Sequence, residues 1–152
     1  MRNLRTVARP AAGLAVAAAL VAGLSAAGHP DVTRARVEDS LTPAFGRLYV
    51  DQQRILGHDV SVAAAAARST CDRGGPAVAD VGAGSDWICL VDFTDQTGAA
   101  QEGKFELQVH ANACYTAAGP AKLLGGFTIP DARGVDVANP LSAFDVCFDP
   151  DA

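Results

Sequence analysis

The chain lacks most short motifs that carry recognisable chemistry. It has no Cys-x-x-Cys pair, and no histidine stands at ligand spacing from a cysteine, so a zinc site or close redox dithiol is not expected. It has no Gly-x-Ser-x-Gly. The nearest fragment, Gly82-Ala83-Gly84-Ser85-Asp86, lacks the closing glycine and precedes a strand-like run, so Ser85 reads as a turn residue and not a nucleophile. No Gly-Lys-Ser/Thr follows any glycine pair, which removes a phosphate loop. Lysine is scarce, two against ten arginines. Three of those arginines, Arg2, Arg5 and Arg9, precede the first apolar run. The net charge of −5 becomes −8 over residues 28–152, where nine basic residues meet seventeen acids. Nucleic acid and anionic lipid both select basic patches, so neither is an expected partner. No cofactor motif is present, and no internal repeat is visible.

What is present begins with an export signal. Arg2, Arg5 and Arg9 form a positive start. Ala11 to Ala27 is an uncharged, mostly apolar run of 17 residues. Ser25-Ala26-Ala27 places small residues at a cleavage site before Gly28, so residues 1–27 read as a signal peptide. The competing reading is a retained anchor, at the lower edge of a membrane span. Contact with a membrane is expected only in that case. No cysteine directly follows the run and no adjacent arginine pair occurs, which excludes a lipid-modified N-terminal cysteine and leaves twin-arginine export unsupported. Residues 28–40 are polar with little periodicity and read as a flexible tether. Residues 41–152 then form one domain.

All four cysteines, Cys71, Cys89, Cys114 and Cys147, lie after the signal. An even number in a short exported chain predicts two disulfides. Three pairings are possible, and Cys71–Cys89 with Cys114–Cys147 is favoured because each closes one half of the domain. Loops of that size stabilise by about 3 to 4 kcal/mol each in the chain-entropy view.

Periodicity supplies the fold class. Thr42-Pro43 is a good helix start, with a capping hydroxyl and proline at the first helical position. Phe45, Leu48, Tyr49, Gln52, Ile55 and Leu56 recur at helical spacing, and Gly57 can end the helix. Val60 through the alanine tract to Cys71 is read as strand. Trp87 to Phe93 is the clearest strand, with Trp87, Cys89, Val91 and Phe93 on one face. Thr94 to Gly103 holds turn residues. Phe105, Leu107 and Val109 then alternate with polar neighbours as a returning hairpin strand. Leu123-Leu124, Phe127-Thr128-Ile129 and Val135-Asp136-Val137 are short pieces, and Leu141 to Phe148 is a terminal element of either type. The expected fold is α+β: one principal helix packed on a small antiparallel sheet, with a loop-rich C-terminal part stapled by a disulfide. Phe45, Leu48 and Tyr49 are expected to cover Trp87, Val91 and Phe93.

Residues 84–93 (GSDWICLVDF), Cys114-Tyr115 and residues 139–149 (NPLSAFDVCFD) resemble a pattern in small exported actinobacterial proteins of unknown function. The likeness covers most of residues 42–149. The excess of arginine over lysine, with abundant Ala and Gly, suits a GC-rich genome. The resemblance implies export and brings no chemistry with it.

The remaining candidates are weak. His29 falls in the tether, His58 just past the helix, and His110 on a polar strand face, so all three read as surface residues. Asp131 and Asp136 flank Gly134, but the segment misses the calcium-loop pattern and reads as a turn. Asp145, Asp149 and Asp151 cluster near the C-terminus. The leading expectation is therefore a secreted or envelope-associated, non-catalytic binding domain whose partner is an envelope protein or secreted enzyme. A structural envelope component is the first alternative. A cell-envelope hydrolase using Asp145 and Asp149 is the second.

Overall fold

The computed structural model describes residues 32–148. The signal segment, the first part of the expected tether, His29, Asp149 and Asp151 lie outside the described residues. The fold is α+β. One long helix, α1 (Arg34–Ile55), crosses one face of a five-stranded antiparallel sheet. The strands are β1 (Arg68–Asp72), β2 (Gly84–Thr94), β3 (Ala100–Val109), β4 (Cys114–Ala118) and β7 (Ala143–Cys147), in that spatial order. Between β4 and β7 lie a short helix, α3 (Ala121–Leu124), and a small hairpin of β5 (Thr128–Pro130) and β6 (Asp136–Ala138).

The helix begins earlier than its sequence pattern suggests. Thr33, not Thr42, is the N-cap, and its side chain accepts the Arg36 backbone N–H. Residues 34–40 are thus helical and are not a tether. Val37, Leu41 and Phe45, four residues apart, extend the buried stripe of the predicted helix toward the N-terminus. Pro43 sits inside α1 and removes one backbone hydrogen bond, at a position where its ring faces solvent. The extra turns hold because the residues before them are tied down. Thr33 bridges Val81, and the Arg34 N–H donates to the Asp80 carbonyl. At the other end the sequence reading is accurate. Gly57, at φ +86°, lets its N–H reach the Arg54 carbonyl while the His58 N–H reaches that of Gln53. That pair of bonds satisfies the last helical carbonyls.

The alanine tract is also corrected. Val62–Ala65 is a short helix, α2, capped by the Ser61 side chain, and the strand starts only at Arg68. Alanine favours helix when no neighbour imposes a ladder, and a preceding serine supplies the cap.

The core lies between α1 and the inward face of the sheet. Trp87, Cys89, Val91 and Phe93 all point inward, as their alternation predicts, and meet Phe105, Leu107 and Val109 from β3. The Phe45 ring lies 5.0 Å from that of Phe93 and 5.6 Å from that of Phe105. Tyr49 reaches Phe93 at 5.0 Å, and Leu48 packs against the same cluster. Trp87 is fully buried and its indole N–H donates to the Gly82 carbonyl. Tyr115 joins helix to sheet through a hydrogen bond with Ser40, and burial pushes its hydroxyl up to about 12.

Both disulfides are the favoured ones. Cys71 stands opposite Cys89 in the β1–β2 register, and Cys114 opposite Cys147 in the β4–β7 register. Their environments differ. Cys71–Cys89 is buried in the core, whereas Cys147 is exposed on the open face of the sheet. The terminal element, open to either reading in sequence, is a strand because it pairs with β4 over five residues.

Candidate functional site

The C-terminal half of α1, the β2–β3 turn and the segment around α3 enclose a cleft of about 350 Å³. Its apolar lining comes from Leu56, Phe93, Leu123, Leu124 and Ile129. Its polar lining is Tyr49, Gln52, Gln53, Asp95, Gln96 and Gln101. Among the described residues, no lysine, arginine or histidine lines it. The volume is at the small end of the range for small-ligand sites.

One wall is built by a buried amide network. Asn139 is its hub and is 3% exposed. Its Nδ2 donates to the carbonyls of Leu124 (2.9 Å) and Gly126 (2.8 Å). Its Oδ1 accepts from Gln52 Nε2 (2.8 Å) and from the Leu141 N–H (3.1 Å). Gln52 Nε2 also donates to the Leu124 carbonyl at 2.6 Å. Gln52 Oε1 in turn accepts from Gln53 Nε2 in a long contact of 3.4 Å. The network thus has a fixed sense, starting at backbone carbonyls and ending at Gln53 Oε1. Gly125 makes the turn in this wall. Its φ is +86°, and a Cβ there would come within 2.9 Å of Ile129 Cγ2, so a side chain is excluded on both counts.

Two buried polar atoms of the lining residues have no hydrogen-bond partner among the described residues, Gln53 Oε1 and Tyr49 Oη. The Tyr49 hydroxyl lies near the backbone N–H of Gln96 but outside hydrogen-bonding geometry. Burial raises its pKa. The Gln96 N–H opposes that shift and the Asp95 carboxylate adds to it, so the hydroxyl stays a donor. Asp95 accepts four hydrogen bonds. Its Oδ1 accepts from the Thr97 hydroxyl and from the N–H groups of Thr97 and Ala99, and its Oδ2 accepts from Gln101 Nε2. These bonds, led by that from Thr97, bring its carboxyl down to about 2. Asp95 therefore fixes the hairpin turn and keeps a negative charge at the rim.

The residues singled out from sequence are not brought together here. Ser85, His58 and His110 are exposed and lie outside the cleft. Asp131 closes the β5–β6 turn, accepting from the Arg133 and Val135 N–H groups, and those bonds with the Arg133 guanidinium lower its pKa. Asp136 is exposed on β6. Asp145 is exposed on β7 and accepts from the Thr116 hydroxyl at 2.6 Å. Its distance to Asp149 falls outside the described residues. Among the described residues no group of three or more His, Cys, Asp and Glu side chains lies together as a metal site. Among them also, no helix is long and apolar enough to cross a membrane.

The cleft residues themselves escape sequence reasoning, apart from one signal. Gln52 occupies a position in the apolar repeat of α1, where a polar residue must find a buried partner. Compared with protein-family models, curated proteins and solved structures, the chain matches none.

Proposed function

We propose that this protein is a secreted or envelope-associated, non-catalytic binding domain, and that the cleft beside the C-terminal half of α1 is its recognition site. Two disulfide-bonded strand pairings, Cys71–Cys89 and Cys114–Cys147, fit an extracytoplasmic setting, where thiols are oxidised. Removal of residues 1–27 on export, and kinship with the small exported actinobacterial proteins, belong to the same proposal.

The observation that carries it is a pair of buried atoms without a partner among the described residues, Gln53 Oε1 and Tyr49 Oη, both on residues that line one cleft. A buried polar group without a partner costs about 1–3 kcal/mol. A ligand that supplies one donor and one acceptor removes both costs. The cleft has apolar walls with a few convergent polar groups, the usual make-up of a binding site.

The test is affinity capture by the oxidised protein from culture filtrate and envelope extract, with Leu123→Trp as the control. Leu123 lines the cleft and is 37% exposed, so the larger ring fills the space with little strain. A stoichiometric partner held by the wild type and lost by Leu123→Trp is expected. Equal retention by both proteins removes the cleft as the site. Consumption of the captured molecule, abolished by replacing Asp145, replaces the non-catalytic reading with the hydrolase.

A further inference from the structure

We infer that the cleft takes an extended peptide segment of a partner protein, uncharged or basic, with an apolar side chain resting on Phe127. This rests on the binding reading above and names the chemistry of its ligand.

Charge narrows the choice first. Among the described residues, Asp95 is the only ionised side chain in the lining, and none of the lining side chains is cationic. A carboxylate, phosphate or sulfate entering the cleft would lose water without gaining a counter-charge. The lining instead carries amide side chains, the same donor and acceptor chemistry as a peptide unit; Gln52 Nε2 and Gln101 Nε2 are engaged with Leu124, Asn139 and Asp95, and Gln53 and Gln96 carry the remaining amide groups. Two buried atoms of the lining residues have that composition too. Gln53 Oε1 wants a donor and Tyr49 Oη wants an acceptor. One peptide N–H and one peptide C=O supply both. The weak link in the wall is the 3.4 Å contact from Gln53 to Gln52. It gives way most easily when a better donor arrives.

Sugar hydroxyls also donate and accept, and Phe127 decides between the two. It is 82% exposed, the most exposed of the large apolar residues described. It lies between Gly125 and Ile129, which both line the cleft. Its backbone is held, because its carbonyl accepts the Asn139 N–H at 2.9 Å and that of Gly126 accepts Asn139 Nδ2. An aromatic ring on a fixed backbone loses little entropy when covered, which is what makes such residues binding anchors. A small polar ligand confined to the cleft leaves this ring in water. A peptide leaving the cleft along this wall covers it.

The experiment pans a random heptapeptide phage library on the full oxidised chain and probes an array of neutral glycans in parallel. Enriched peptides should lack Asp and Glu and share an apolar position. Phe127→Ala and Tyr49→Phe should each weaken the best synthetic peptide by about tenfold, with neither lowering the thermal midpoint. Both variants leave the fold intact by design, since one ring is in solvent and the other loses only an unpartnered hydroxyl. Enrichment of acidic peptides, or glycan binding abolished by Tyr49→Phe, overturns the peptide assignment and leaves the cleft as a site. No binder of either kind that responds to Tyr49→Phe or Leu123→Trp overturns the binding reading as well.

Discussion

Asn139→Ala should be among the most damaging single truncations in the C-terminal half. The side chain makes four hydrogen bonds, two donated to the carbonyls of Leu124 and Gly126 and two accepted from Gln52 and the Leu141 N–H. Each contributes about 1 kcal/mol net. The Leu141 N–H belongs to a fully buried residue, and stranding it adds about 1–3 kcal/mol. The Leu124 carbonyl keeps its second donor, Gln52, which trims the loss. The expected cost is about 3–6 kcal/mol, a large share of a typical domain stability of about 5–15 kcal/mol. Urea unfolding of the oxidised protein, followed through the fluorescence of buried Trp87, reads it directly. Asn139→Asp sharpens the test. It keeps the shape but turns a carboxylate toward two carbonyl oxygens, so its folded-state pKa rises above the unfolded value of about 3.9. The folded state then holds the proton more tightly. Its deficit relative to wild type should be smallest below about pH 4 and grow as pH rises through the folded pKa. A loss below about 1 kcal/mol for the alanine variant, or a deficit for the aspartate variant that is flat from about pH 3 to 8, would refute the amide hub.

Three further outcomes follow from burial and charge. Phe45→Ala should cost about 3–5 kcal/mol in the same assay, because its ring joins Tyr49, Phe93 and Phe105 with no exposure; a loss under about 1 kcal/mol would separate helix from sheet. Under native conditions a graded phosphine reductant should open Cys114–Cys147 before Cys71–Cys89, since the first reaches solvent and the second does not; peptide mapping after alkylation that finds the reverse order contradicts the burial argument. Asp95 is held at about pKa 2 by its turn, so its contribution is complete above the unfolded value near 3.9 and fades as pH falls toward 2; Asp95→Asn should therefore flatten the fall in urea midpoint over that window, and an unchanged slope counts against it.

Local features were legible in the chain where one residue type had one physical use. Trp87, Cys89, Val91 and Phe93 alternate because one face of β2 is core, and all four are buried. Gly57 ends α1 because only a residue tolerating positive φ fits there. The helix start was hidden for the opposite reason. Thr42-Pro43 has the chemistry of a helix start, and Pro43 lies within the helix only because tertiary contacts hold Val37 and Leu41 in the core ahead of it. Alanines 63–67 carry no face, so the choice there fell to Ser61 and to the packing of Val62 against Gly46, where the two approach closely.

The cleft was hidden for a different reason. Its wall joins Gln52 to Leu124 and Asn139, which are 72 and 87 residues further along the chain. No local pattern encodes a contact of that separation. Gln52 in the apolar repeat announces only that some partner exists. The partner is a segment with almost no periodicity, whose conformation is set by the bonds Asn139 makes to it. The same device that orders residues 124–127 also presents Phe127 to solvent and leaves Gln53 at the unfinished end of the amide chain. Substitutions at Asn139 should thus disturb stability and recognition together, whereas Phe127→Ala and Tyr49→Phe should touch recognition alone. That difference distinguishes a wall built only to close the core from one that also holds a ligand.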